Sequence, residues 1–171
     1  KNEHLSKVYE NIENKLIPVL AKMELEGIKV DLKYFETYKI ELQEKIKKLE
    51  EEIYLLAGEK FNIGSPKQLA EILFEKLEIE PVKKTKTGYS TDVEVLEALA
   101  LREISIAEKL LEYRSYAKLL STYVEPLPKL VDENSRIHTT FNQNGTSTGR
   151  LSSTNPNLQN IPRDTTSSDV K

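Results

Sequence analysis

Apolar residues recur near a 3.6-residue period at Leu5, Val8, Ile12, Leu16, Val19, Leu20 and Met23, which predicts a helix over residues 5–26. Pro18 interrupts the pattern and fits either the first turn of a second helical piece or a kink, because it lacks an N–H. Gly27 is placed as the stop, and Ile28-Lys29-Val30 reads as a short extended link or strand. Asp31 can cap the next helix, expected from Leu32 to Ala57 with a stop at Gly58. At 1.5 Å per residue it would be about 39 Å long. In it Phe35, Leu42, Leu49 and Leu56 are seven apart, with Tyr38, Ile46 and Ile53 between them and mostly Lys and Glu elsewhere. Such a narrow seam with charged flanks needs a helical partner beside it.

Ser65-Pro66-Lys67-Gln68 has the form of a helix start, with Leu69, Ile72, Leu73 and Leu77 as the buried face. Residues 82–90 read as basic and irregular. Thr91-Asp92-Val93-Glu94 is a second capping box, opening a helix to about Leu101. A further helix covers roughly Ile104 to Val124, with Ile106, Leu110, Tyr113, Ala117, Leu120 and Val124 inward, and Pro126 and Pro128 end it. It is long enough to pair antiparallel with helix 32–57, with Phe35, Leu42, Leu49 and Ile53 on Ile106, Leu110, Ala117 and Leu120. The period then changes. Arg136 to Gln143 alternates, placing Ile137, Thr139 and Phe141 on one face. Asn144-Gly145 signals a tight turn, and Thr146 to Leu151 could return as a second strand. The rest is turn-like, ending in a polar tail. The fold class is therefore mainly α with a small β part: a long antiparallel helix pair plus a β-hairpin.

Composition narrows the chemistry. There is no Cys among the 171 residues, which excludes disulfides, thiolate metal sites and a cysteine nucleophile. His4 and His138 are far apart, which argues against a histidine zinc site. No apolar run reaches the length of a membrane span. The chain opens at Lys1 without a signal-peptide pattern, as expected of a piece of a longer parent or a processed product. The net charge of −3 is uneven: residues 1–133 carry 26 acids and 21 bases, whereas residues 134–171 carry 2 acids and 4 bases. From Asn134 to Arg163 there are three Arg, 17 residues of Asn, Gln, Ser or Thr, and no Asp, Glu or Lys. A nucleic-acid argument thus fails for the whole chain and survives locally.

Three places could carry that chemistry. The loop 83–91 holds Lys83, Lys84 and Lys86 with Ser90 and Thr91, the charges and small donors that suit a phosphate backbone, although a solvated loop has the same composition. Its Gly–Lys spacing is not that of a Walker loop. Arg114, Lys118 and Thr122, spaced i, i+4, i+8 with Ser121 beside them, form one helix stripe that could follow a groove or be ordinary surface charge. The run from Thr148 to Pro162 sets Arg150 among Asn157, Gln159 and Asn160, whose amides suit the acceptors that every base pair presents in the minor groove. An Asn-rich loop bonding to its own backbone is the alternative.

That run, TGRLSSTNPNLQNIP, resembles the signature that opens the palm core of family A DNA polymerases of the bacterial DNA polymerase I type. The resemblance extends over roughly residues 5–162, through Arg136-Ile137-His138-Thr139-Thr140-Phe141-Asn142-Gln143, Tyr113-Arg114 with Lys118 and Ser121-Thr122-Tyr123, Pro126-Leu127-Pro128, Phe61-Asn62 with Ser65-Pro66-Lys67-Gln68-Leu69, and Met23-Glu24 with Gly27. It implies a start of the palm over 1–31, a thumb over 32–125, a return to the palm over 126–162 and a divergent tail over 163–171. It implies a DNA-directed DNA polymerase of replication or repair, cytoplasmic and nucleoid-associated. The partners would be primer–template duplex and the remaining palm and fingers, with no membrane. By the same resemblance Arg150 contacts the primer end and the incoming nucleotide, while Asn157, Gln159 and Asn160 lie by the minor groove. The Mg²⁺-binding carboxylates belong to later palm strands, so this stretch is expected to hold no cofactor and to be inactive alone. Two departures stand out. The residues after Pro162 leave the family pattern, with Asp164 and Asp169 in the wrong context to bind metal. Leu120 stands where many members have a basic residue. The rival reading is a stand-alone, non-catalytic helical DNA-binding or assembly module.

Overall fold

A computed structural model describes residues 3–85 and 88–162. Lys86 and the tail from Arg163 onward lie outside the described residues. The chain divides into two compact units, one of residues 1–36 and 123–171 and one of residues 37–122.

In the first unit, α1 (Glu3–Val8) passes through a widened turn (Tyr9–Glu13) into α2 (Asn14–Glu26). Pro18 sits inside α2 without ending it. The widened turn lies just before it, with the Asn14 N–H reaching the Tyr9 carbonyl. Opening the ladder there accommodates a residue that brings no donor and crowds the preceding turn. Among the residues of the 5–26 apolar stripe whose side chains are described, only Leu20 is buried, and Ile12, Val19 and Met23 are half exposed or more. The periodicity identifies the helix, but the described residues cover only part of its apolar face.

Gly27 ends α2 at φ 66°, its N–H on the Met23 carbonyl. A Cβ there would stand 2.8 Å from both the His138 ring and the Ile137 carbonyl, so glycine is required by close approach as well as by φ. Next, β1 (Ile28–Lys29) pairs antiparallel with β4 (Arg136–Ile137), matching Ile28 to Ile137. A second two-stranded sheet joins β5 (Thr140–Asn142) to β6 (Ser152–Thr154), with Phe141 opposite Ser153. Ile137 and Thr139 are buried and Phe141 is half-buried, as the alternation predicts.

The returning strand is not Thr146–Leu151. Those residues form the loop, and pairing resumes one step later, Asn142 opposite Ser152. The side of Gly145 where a Cβ would project is filled by the Ser152 hydroxyl and the Asn142 Cβ. This glycine serves a close approach at the loop base, where the sequence suggested a two-residue turn.

In the second unit, α3 (Leu32–Ala57) has the predicted bounds. It begins in the first unit, where Asp31 caps it by accepting the Tyr34 N–H at 3.0 Å, and stops at Gly58. Its buried residues are Leu42, Leu49, Ile53 and Ala57, while Leu56 is 41% exposed. The heptad expectation fails at Leu56 because a straight 3.6-residue helix drifts about 20° per heptad from a 3.5 repeat. α4 (Pro66–Ala70) starts at Ser65, which accepts the Gln68 N–H, and widens over Glu71–Lys76. The Gln68 side chain reaches past Ser65 to the Asn62 N–H at 2.8 Å.

The basic loop is a small hairpin of β2 (Lys84–Thr85) and β3 (Gly88–Tyr89), not irregular chain. α5 (Val93–Ala100) is capped by Asp92, one residue later than the capping box suggested, through the Val95 N–H at 3.0 Å. α6 (Ser105–Leu119) continues into a widened turn, Leu120–Val124.

α3 and α6 run antiparallel. Glu52 meets Lys109 at 2.8 Å, Glu50 accepts from the Tyr113 hydroxyl at 3.3 Å, and Lys45 stands over the Tyr116 ring, so numbering falls on one helix as it rises on the other. Ile53 and Ala57 join Leu69, Ile72, Leu73, Phe74, Val95, Leu96, Leu99, Ile106, Ala107 and Leu110 in one core. The fold is thus mainly helical, with small two-stranded antiparallel sheets.

Candidate nucleic-acid interface

The described cations of the second unit are not equivalent. The Lys83 ammonium lies 3.1 Å from Asp92 and 3.4 Å from Glu94. Asp92, first by hydrogen bonding, and then Glu94 raise its pKa. Asp92 is held low, first by the Val95 N–H of the cap and then by the Ser90 hydroxyl and Lys83. Arg114 is half-buried and donates to the Thr91 carbonyl. Burial lowers its pKa and Asp92 opposes that. Ser90 and Thr91 are buried, with the Ser90 hydroxyl 2.8 Å from Asp92. Lys83, Ser90, Thr91, Asp92, Glu94 and Arg114 form one knot around the α5 cap, an internal use that the basic composition did not reveal.

Lys84 and Lys118 remain exposed, Lys84 over the Tyr89 ring at 5.2 Å. Ser121 and Thr122 are exposed, and Ser121 donates to the Ala117 carbonyl one turn back. The knot borders a groove of about 1120 Å³ whose walls include Ser65, Lys67, Tyr89, Asp92 and Arg114.

In the first unit the run from Arg136 to Gln143 hangs on α1–α2 at four points. Arg136 donates to the Glu26 carbonyl at 2.6 Å and pairs with its carboxylate. His138 Nδ1 stands 2.7 Å from the Glu24 carbonyl and Nε2 3.1 Å from Asp132. The Phe141 N–H donates to the Glu24 carboxylate at 2.6 Å, and the Gln143 amide reaches the Glu13 carboxylate at 2.7 Å. The Glu24 carbonyl first and Asp132 second raise the His138 pKa. Asp132 is lowered, first by the Arg136 N–H and then by His138.

The segment after β6 is held from inside. Ser153, 1% exposed, accepts the Leu158 N–H at 3.1 Å and lies 3.4 Å from the Asn157 amide oxygen, which also accepts the Gln159 N–H. Thr139 Oγ1 lies within 3.0 Å of the Thr154 and Pro156 carbonyls. The Asn160 carbonyl accepts from the Tyr123 hydroxyl. Asn157 thus partly fills the self-satisfied role weighed for it. The side chains of Arg150, Gln159 and Asn160 are exposed and make no hydrogen bond or ion pair among the described residues. Sequence reasoning missed the supports, Glu24, Thr139 and Ser153. Each lies within a stretch that resembles the family, but a helical carboxylate or a strand hydroxyl does not by itself announce which backbone group it will hold.

Among the described residues, no group of three or more His, Asp or Glu is placed to hold a metal ion. Nor is any helix there long and apolar enough to cross a membrane. The described residues therefore offer no ligand set for a catalytic metal pair.

The sequence model for DNA polymerase family A matches residues 32–171. The chain belongs to DNA polymerase family A. It is 56% identical over 156 residues to DNA polymerase I of Caldicellulosiruptor bescii, covering 91% of this chain and 18% of that protein. It is 50% identical over 163 residues to DNA polymerase I of Bacillus subtilis, covering 95% and 18%. The structure of the POL domain of Pol1 from M. smegmatis, in complex with DNA primer-template and dNTP, superposes with a TM-score of 0.77 at 46% identity, covering 86% of this chain and 26% of that one. The family A chain thus corresponds to part of a DNA polymerase I POL domain and spans less than a fifth of these curated relatives' length.

Proposed function

We propose that this chain is the DNA-holding part of a DNA-directed DNA polymerase, with a thumb over 32–125 and the start of the palm over 1–31 and 126–162. The observation that carries the reading is the exposed side chains of Arg150, Gln159 and Asn160, which have no partner among the described residues, on a segment that buried Ser153 and Thr139 hold from inside. A guanidinium always carries its charge and offers a rigid fork of donors. Directed at N3 or O2 in the minor groove, donors of this kind find an acceptor at every correctly shaped base pair and report shape, not sequence. The M. smegmatis POL domain that this chain resembles is in complex with DNA primer-template and dNTP, which supports a DNA-holding role for the chain. Lys84 and Lys118 supply phosphate contacts that position the duplex. Lys83, Arg114, Ser90 and Thr91 shape the hairpin that presents Lys84, with contacts to DNA through whatever donors their internal bonds leave over.

Mg²⁺ in a family A polymerase stabilises the transferring phosphoryl group. By the family resemblance the carboxylates that hold the metal belong to later palm strands, so this chain by itself is expected to add no nucleotide. The work of these residues is binding and orientation.

The test is single-turnover extension by the polymerase carrying this sequence, on primers with and without the N3 acceptor at the terminal base. Arg150→Lys should slow extension about tenfold to a hundredfold, the worth of a charge-assisted hydrogen bond, while changing duplex affinity far less. Extension at the parental rate overturns the minor-groove role.

A further inference from the structure

Hydrogen bonds tie α2 to β5, and across the β5–β6 pair a second set ties the inside of β6 to the amides that follow it. The Glu24 carboxylate accepts the Phe141 N–H at 2.6 Å, and its carbonyl takes His138 Nδ1 at 2.7 Å, so one helical residue grips the β5 strand and the chain entering it. Phe141 lies opposite Ser153 across the β5–β6 pair. The buried Ser153 hydroxyl accepts the Leu158 N–H, and Asn157 beside it accepts the Gln159 N–H.

We infer that Glu24 and Ser153 are positioning residues for nucleotide addition, holding residues 157–160 at the depth at which their amides meet the minor groove. The inference rests on the proposed polymerase reading and concerns residues that need not touch DNA themselves. Two features single them out. A carboxylate placed on a backbone N–H orients a strand through a short charge-assisted bond. A buried serine hydroxyl offers both a donor and acceptor capacity, and here an N–H and an amide oxygen of the same turn use them. Were Ser153 only a filler of the sheet, alanine would serve equally well.

The experiment uses the polymerase carrying this sequence, with four variants: Ser153→Ala, Glu24→Leu, Glu24→Gln and Arg150→Lys. It reads single-turnover extension and duplex dissociation constant on primers with and without the terminal N3 acceptor, beside a thermal melt. Ser153→Ala and Glu24→Leu should extend about tenfold more slowly, with duplex affinity within about twofold, and lose most of the parental penalty for the missing acceptor. Glu24→Gln keeps an oxygen for the Phe141 N–H and should recover most of the rate. If Glu24→Leu does not fold, Ser153→Ala decides, since it removes one oxygen and leaves the strand register. A Ser153→Ala enzyme with the parental rate and acceptor penalty overturns the inference. When Arg150→Lys slows extension and Ser153→Ala does not, only this inference falls. When neither has an effect, the minor-groove reading falls with it.

Discussion

At the scale of single residues the first unit is joined by His138. Its ring bonds to the end of α2 on one side and to Asp132 on the other, and it stands where any side chain on Gly27 would have to go. Both of its bonds are best made by imidazolium, which donates from both nitrogens. Its folded pKa is raised, so the stability it contributes is full below its unfolded value near 6.5 and is lost as pH rises through the higher folded value. Asp132 has the opposite sign. Its folded pKa is lowered, so its contribution is present above its unfolded value near 3.9 and is lost as pH falls through the folded one. Melting measured from about pH 5 to 9 should show the parent losing stability across the alkaline side of the histidine range, and His138→Gln should flatten that fall. Parallel profiles for parent and variant would remove His138 from the account.

At the scale of elements, the α3 stripe separates two side chains that a seven-residue repeat treats alike. Leu49 is 5% exposed and Leu56 is 41% exposed. Leu49→Ala should cost about 2–5 kcal/mol through lost burial and a residual cavity. Leu56→Ala should cost less than about 1 kcal/mol, since little contact is lost at so open a position. Urea midpoints at unchanged slope would measure both. Equal losses would restore the straight heptad seam. The same element scale explains the late return of β6. A polar loop in which Thr146 bonds to the Arg150 carbonyl at 2.7 Å satisfies its own backbone without a ladder, so pairing resumes only at Ser152.

At the scale of the molecule, a chain of net charge −3 binds a polyanion only through local positive sites. The structure ranks those sites. Lys84→Ala and Lys118→Ala should each lower the slope of log K against log salt by about 0.9 or less for duplex DNA. Lys83→Ala and Arg114→Ala should change that slope less, because their charges already face Asp92, Glu94 and the Thr91 carbonyl. Arg114→Ala should also destabilise the hairpin–α5 corner, as an unpaired buried carbonyl would. Filter or anisotropy titrations between about 50 and 200 mM salt distinguish these outcomes. Equal slope changes for all four would return Lys83 and Arg114 to the phosphate-contacting set.

The family, the bounds of α3, the Asp31 and Ser65 caps, the Gly27 and Gly58 stops and the inward face of Ile137 and Thr139 were legible in the amino-acid sequence. All depend on local rules: a side chain capping its own helix, a glycine relieving its own φ, a period of two or 3.6. What only tertiary structure decided are the partners chosen at long range. The sequence shows that Lys83 and Arg114 are cations, but proximity to Asp92 and Thr91 decides whether their charge turns inward. It shows that Glu24 is a helical carboxylate, but the placement of β5 against α2 makes it the acceptor of the Phe141 N–H. A hydrogen bond has a range of about 3 Å and no dependence on sequence separation. Residues 117 positions apart in the chain therefore become neighbours only once the fold has brought them together.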